Sequence, residues 1–471
     1  MFDINHLKLI PMRLTFFTVS KLFLFAALFC VVIVTSSTLF PFIVGKFVWF
    51  RIAASLSFIF FLLGLLFNDN ISPEIAGEYG LVSKRFRAIL REPLVIAVTA
   101  FIAMYLLSGF LGYDASASFW SNFERGEGGF QLLNFYLFFL MLRTLFRNKK
   151  EWKKFFGVSL IVSGLVILYG VAASINLNDF IGSEGFCGRF AGSLGNPAYL
   201  APYLMFTAFF ALYLWFSKGE TKNTMRNIFY AILLFVFFFF FLLTQTRGTF
   251  LGLGVGLIAG FTYLFFKTQK SKLKTVSGVL AIVFIILGFS AFMLRHKNIP
   301  IVPFCASSSR LLEISTSDQT AQTRFWTWGS AIKGWKERPI LGWGPENFSV
   351  VFDKYFDARH YVPGQNSETW FDRAHSVFID YLTEIGILGL LSYLSIFIVY
   401  FWEFFKKTKD RSPVINTLFF TLPIAYLVQG IALFDVLPIY LVLFTTLAFA
   451  SFYFNEEKED KNNKSQITNI K

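Results

Sequence analysis

The sequence predicts an all-α polytopic membrane protein with about 12 transmembrane helices and one large extracytoplasmic helical loop. Three observations lead there. The chain is 55% hydrophobic and only 15% charged, with mean hydropathy +0.58, whereas a soluble domain carries about 25% charged residues. Its apolar stretches are long enough to cross the hydrocarbon layer, which takes about 20 residues of helix. A backbone in lipid has to satisfy its own hydrogen bonds, so helices are expected. Finally, the connecting segments alternate between rich and poor in Lys and Arg.

Taken in order, the predicted spans are 17–40, 47–67, 93–112, 129–146, 155–175, 198–217, 227–245, 249–266, 276–294, 377–400, 413–430 and 436–454. Basic clusters follow the even-numbered spans: Lys84, Arg85, Arg87 and Arg91; Arg147, Lys149, Lys150, Lys153 and Lys154; Lys218, Lys222 and Arg226; Lys267, Lys270, Lys272 and Lys274; Lys406, Lys407, Lys409 and Arg411. The opposite short loops carry isolated cations, namely Lys46, Arg125, Arg189 and Arg247. The positive-inside rule then predicts both termini in the cytoplasm and the long loop outside. No cleavable leader pattern precedes the first span, so that span is expected to be retained. The organisation reads as helices one to nine over 1–294, an extracytoplasmic loop with amphipathic helices over 295–376, helices ten to twelve over 377–454, and a disordered cytoplasmic tail over 455–471.

The net charge of +14 sits in short clusters beside apolar spans. It points to membrane lipid rather than to nucleic acid. Three cysteines exclude a disulfide framework, and no Cys-x-x-Cys or His-rich metal spacing occurs. Cys187 and Cys305 both fall on the outer side, so a disulfide between them stays open. Within the loop, Phe325, Trp328, Ile332 and Trp335 recur at helical spacing, with Arg324, Lys333 and Lys336 between them. That spacing predicts an amphipathic helix. Leu341 to Pro345 breaks it, and Pro345-Glu346 begins a second helix with Phe348, Phe352 and Tyr355 on one face.

Several polar groups call for an explanation. Arg247 stands at the outer end of span seven, as an interfacial anchor or as a fixed cation facing phosphate. Behind it Gly248, Gly252, Gly256 and Gly260 form a stripe that lets another helix come close. Arg189 precedes a glycine-rich Gly195-Asn196-Pro197 turn able to present backbone donors to an anion. Asp380 and Glu384, one turn apart on span ten, form either a structural ion-pair stripe or part of a wet cavity. His375, at the loop–membrane junction, is an interfacial residue, a helix cap or a proton acceptor. On a continuous helix it would point away from Glu384, about two and a half turns on.

These residues together resemble the O-antigen ligase and polymerase superfamily of bacterial inner-membrane enzymes. Arg247 to Leu251 is similar to its Arg-x3-Leu motif. His375-Ser376, nine residues, and Gly386-Ile387-Leu388-Gly389 are similar to its His-(Asn/Ser/Gln)-x9-Gly-x-x-Gly motif, with a departure from the ligase pattern at Leu390. The Gly-Asn-Pro segment after Arg189, and Arg324 to Pro339 followed by Gly342-Trp343-Gly344, also resemble the family's segments. The resemblance implies a GT-C-like glycosyltransferase of polysaccharide biosynthesis. Its donor would be a glycan on undecaprenyl pyrophosphate, its acceptor a glycan, a lipid such as lipid A core, or a protein, and it would need no metal or other cofactor. Arg189, Arg247, Arg324 and Arg373 would bind substrate, Arg247 and His375 would be catalytic, and Asp380 and Glu384 would support them from behind. A transporter of an anion or of a lipid-linked sugar is the alternative. Transporter halves often repeat, and here the large loop has no counterpart in the first half.

Overall fold

The computed structural model describes residues 16–66, 82–122, 125–177, 180–182, 188–217, 223–294, 301, 305, 311, 319–361, 364 and 369–468. Among these, nine helices are long and apolar enough to cross a membrane, and three shorter apolar helices accompany them. In chain order the helices are α1 (Phe16–Ala27, extended by a 3-10 turn to Val32), α2 (Val44–Leu66), α3 (Pro93–Leu111), the short α4 (Ala115–Trp120), α5 (Gly129–Leu145), α6 (Lys149–Ser174), α7 (Pro197–Phe216), α8 (Thr224–Leu243), α9 (Arg247–Lys267) and α10 (Ser271–Leu294). The hydrophilic segment contributes α11 (Gln319–Glu337) and α12 (Phe348–Lys354), followed by α13 (Val377–Glu384), α14 (Gly386–Lys407), α15 (Pro413–Gln429) and α16 (Leu437–Thr468). The architecture is thus the expected polytopic helical one, and the first helix of the hydrophilic segment covers the expected residues, whereas the second begins at Phe348 and not at Pro345-Glu346, because Glu346 takes a left-handed backbone with φ +65°.

α16 is the axle of the bundle. Its membrane-length portion, Leu437–Glu456, is wholly buried. It is aromatic on several sides, with Phe444 stacked on Phe135 at 5.7 Å, Phe449 edge-on to Phe156 at 4.8 Å and Tyr453 stacked on Phe419 at 4.4 Å. Lipid supplies no hydrophobic drive between helices, so such packing holds the bundle together. Beyond Asn455, where disorder is expected, the helix runs on to Thr468. Glu456, Glu457, Lys458 and Glu459 are good helix formers and extend a helix already nucleated in the membrane.

The glycine stripe of α9 faces α15. A Cβ on Gly252 would lie 2.5 Å from the carbonyl oxygen of Ala425, and one on Gly256 would lie 2.8 Å from the Ala425 Cβ. Gly252→Ala therefore forces two backbones apart. It is expected to destabilise the protein by about 1–3 kcal/mol, as overpacking does, and a thermal melt in detergent reads this.

Span ten departs from the expectation of one continuous helix over 377–400. It breaks at Gly386, whose φ is +68°, and the turn of the hydrophilic segment docks into the break. Trp343 N–H donates to Thr383 O at 3.1 Å, Gly344 N–H to Glu384 O at 2.7 Å, and Ile387 N–H to Pro339 O at 2.9 Å. A Cβ on Gly386 would sit 2.3 Å from Ile340 O, so only glycine meets both the left-handed backbone and the close approach. Glu384 consequently ends a short helix ahead of the membrane-length α14.

Candidate functional site

The ends of α1, α6, α8 and α15, with the starts of α2, α7, α9 and α16, meet at one end of the bundle. A cavity of about 650 Å³ opens there, lined by Arg125, Arg189, Arg247, Arg324 and His375, and by Phe42, Tyr199, Gln245 and Phe434 among others. Four of the sequence candidates thus share one cavity: Arg189, Arg247, Arg324 and His375. Arg373, Asp380 and Glu384 are not among the residues that line it.

Two helix N-termini face this space. α7 starts at Pro197, capped by Asn196, whose side chain accepts from Ala198 N–H at 2.8 Å. α9 starts at Arg247 with Thr246 as its cap residue. Thr246 Oγ1 donates to Pro197 O at 3.2 Å and ties the two starts together. Gln245, in the left-handed region at φ +52°, donates from Nε2 to Gly188 O at 3.0 Å. A helix start concentrates unsatisfied N–H groups and a partial positive charge, which suits an anion. Added to arginines, which stay charged and grip phosphate oxygens in pairs, this makes the cavity strongly anion-seeking.

His375 precedes α13 instead of belonging to it, and its own φ is +58°. That conformation is uncommon for a non-glycine residue and is held by neighbours on each side. Asp380 Oδ1 accepts from Ala374 N–H at 2.6 Å, while Trp328 Nε1 donates to Ala374 O at 2.8 Å. Asp380 therefore supports the peptide before His375 and does not bond the ring. The ring edge-packs on Phe371 at 5.5 Å and Phe434 at 5.1 Å. Its Nδ1 lies 3.2 Å from Arg373 O. A carbonyl can only accept, so Nδ1 carries the proton in this bond and Nε2 is left as the basic nitrogen. Burial pushes the imidazole down to about 4, and the charge of Arg324 pushes it the same way, so His375 is neutral near pH 7.

Arg125, which the sequence shows only as an isolated loop cation, is a built part of the site. It donates to both carboxylate oxygens of Asp372, at 2.7 and 3.1 Å, and to Tyr199 Oη at 2.9 Å, with its guanidinium 5.4 Å from the Phe434 ring. Burial would raise the Asp372 carboxyl, but Arg125 outweighs it and holds the group below its usual range. Asp372→Asn removes the charge that fixes Arg125. We expect kcat/KM for the cavity's substrate to fall roughly tenfold, equivalent to about 1.4 kcal/mol, in a steady-state assay.

Arg373, expected to contact substrate, is turned inward instead. It is 6% exposed, bonded to Glu346 and 3.6 Å from Glu127. Glu346, itself at φ +65°, receives support from Glu384, whose Oε1 accepts the Glu346 N–H at 3.0 Å. Glu127 Oε1 accepts from Leu437 N–H at 2.8 Å, and burial pushes this carboxyl up to about 7. The run Asp372-Arg373-Ala374-His375 thus alternates in function. Asp372 holds a cavity arginine, Arg373 anchors the segment below, and His375 reaches the cavity. Of the cysteines, Cys30 is buried and free, Cys305 is disulfide-bonded, and Cys187 lies outside the described residues.

Comparison with known proteins bears on the same residues. Residues 231–394 match the family model described as O-antigen ligase, a stretch that contains Arg247, Arg324 and His375 but neither Arg125 nor Arg189. The chain is also 24% identical over 268 residues to the ComP-specific O-oligosaccharyltransferase of Acinetobacter baylyi (strain ATCC 33305 / BD413 / ADP1). The similarity covers 56% of this chain and 44% of that relative, so it spans less than half the relative's length. Taken with the helical membrane architecture, these matches support a place in the O-antigen ligase superfamily, the likeness to its family model lying over residues 231–394.

Proposed function

We propose that the protein is a glycosyltransferase that moves a glycan from undecaprenyl pyrophosphate to an acceptor hydroxyl at the outer face of the bacterial cytoplasmic membrane, with both termini cytoplasmic. The observation that carries this reading is the gathering of Arg125, Arg189, Arg247, Arg324 and His375 around one cavity at a helix-end surface of a membrane bundle. A diphosphate leaving group is already activated. The protein's task is to position it and to balance the charge that grows as it departs.

In this reading the acceptor oxygen attacks the anomeric carbon as the bond from that carbon to the pyrophosphate oxygen breaks. The acceptor proton passes to Nε2 of His375. The polyprenyl pyrophosphate leaves with the bonding electron pair, its charge met by Arg189, Arg247 and Arg324 and by the starts of α7 and α9. Attack opposite the leaving group inverts the anomeric centre. The similar Acinetobacter baylyi enzyme is named as an O-oligosaccharyltransferase specific for ComP, and in this reading the acceptor is the hydroxyl of a protein rather than lipid A core or a growing chain of repeat units.

The deciding experiment combines purified protein, a synthetic polyprenyl-pyrophosphate-linked oligosaccharide and a serine-containing acceptor protein, without ion gradient or ATP. Transfer of the glycan supports the enzyme. Movement of the lipid-linked sugar across a vesicle membrane with no covalent transfer would establish the transporter alternative.

A further inference from the structure

We infer that the protein holds an anionic glycerophospholipid in a second cleft, at the end of the bundle opposite the arginine cavity. The cleft is about 960 Å³ and lies between α7, α9, α10 and α15. It is reached by following α9 from Arg247 at the first cavity to Lys267, 21 residues or about 30 Å of helix. Its wall is apolar, with Phe209, Leu212, Leu257, Phe261 and Leu280 facing the space. Its mouth carries Arg226, Lys267 and Lys270, and among the described residues no Asp or Glu lines it. Nothing in the glycan-transfer reading uses any of these groups.

Three physical points fix the occupant. First, a space of this size is at the upper end of ligand sites, which run to about 1,000 Å³, and close-packed proteins do not leave such voids empty. Apolar walls give water no partners. α10 bounds the cleft but is mostly uncovered, with 11% of its membrane-length portion buried, so the bilayer is the adjoining medium. Second, the mouth lies at headgroup level. Trp215 lines it, stacked on Phe216 at 5.5 Å and donating from Nε1 to Asn227 Oδ1 at 2.9 Å, and tryptophan marks the membrane–water boundary. Third, the mouth is positive by construction. The starts of α8, α10 and α15 at Thr224, Ser271 and Pro413 converge there with the ends of α7 and α9 at Phe216 and Lys267, so their dipoles largely offset one another and the three cations set the sign. An acyl chain along the wall with a phosphodiester at the mouth satisfies all three, and a zwitterionic headgroup satisfies the charge less well.

The test uses the full-length protein, stripped of lipid in detergent and titrated with phosphatidylglycerol, phosphatidylcholine or inorganic phosphate under native mass spectrometry. The wild-type protein is expected to retain phosphatidylglycerol at least tenfold better than phosphatidylcholine, and inorganic phosphate is expected not to displace it. Arg226→Gln, Lys267→Gln and Lys270→Gln together should abolish that preference, and Leu280→Trp, which keeps every charge, should lower retention by obstructing the chain. Equal retention of the two lipids by the wild type overturns the proposal, even if a variant fails to fold. Displacement by inorganic phosphate also overturns it, since the site would then be for a free anion. The measurement needs no glycan transfer, so its failure leaves the proposed activity standing.

Discussion

Arg247→Ala is expected to lower kcat for glycan transfer by about 10²–10³-fold, the usual consequence of removing one preorganised donor from a developing anion. Arg247 is the first residue of α9, so this side chain and the start of that helix both border the cavity. The stabilisation grows as the diphosphate takes up charge, so the loss should appear mainly in kcat and only modestly in KM. Arg247→Lys keeps the charge but lacks the planar fork, and should fall between the two. Single-turnover transfer from a synthetic lipid-linked donor measures it. An alanine variant with unchanged single-turnover rate and raised KM would move Arg247 from the leaving group to simple recognition.

His375→Ala should cost about 10²–10⁴-fold, the range of a lost general base, and the pH profile gives the sharper reading. In the empty protein the imidazole sits at about 4, through burial and then the charge of Arg324. The neutral form is the reactive one, so activity is lost as pH falls through this value. A bound diphosphate neutralises Arg324 and Arg125, which both push the imidazole down, and so raises its pKa. The acid limb of kcat/KM, which reports the free enzyme, is therefore expected near 4. The acid limb of kcat, which reports the complex, should lie higher, toward the ordinary histidine value of about 6.5. Coincident limbs would mean that His375 does not feel the arginines and the donor together.

Much of the architecture is legible in the sequence, because hydropathy over about 20 residues is a strong signal. The amphipathic period of Phe325, Trp328, Ile332 and Trp335 likewise marks α11. The break at Gly386 is not legible. Gly386-Ile387-Leu388-Gly389 reads as the end of a family motif inside a continuous span, and only the docked Pro339–Gly344 turn shows why a left-handed residue is required. Arg125 escapes for a related reason. A lone arginine in a short loop looks like an interfacial anchor until Asp372, far away in sequence, is seen to grip it. Arg373 misleads in the other direction. It is next but one to His375, and in an extended run the two would share a side, but the left-handed backbone at His375 breaks that alternation and Arg373 bonds Glu346 instead.

The turn seated in the Gly386 break has a bearing on engineering. The hydrophilic segment is not an appendage on a finished bundle. Its backbone completes hydrogen bonds that the interrupted helix leaves open, and Ser108 of α3 closes the joint by donating to Glu384 O at 3.0 Å. Exchanging acceptor preference between homologous enzymes therefore calls for a cassette reaching from α11 through Gly389, with α3 matched to it. A swap that stops at the membrane boundary would separate the two halves of a single joint.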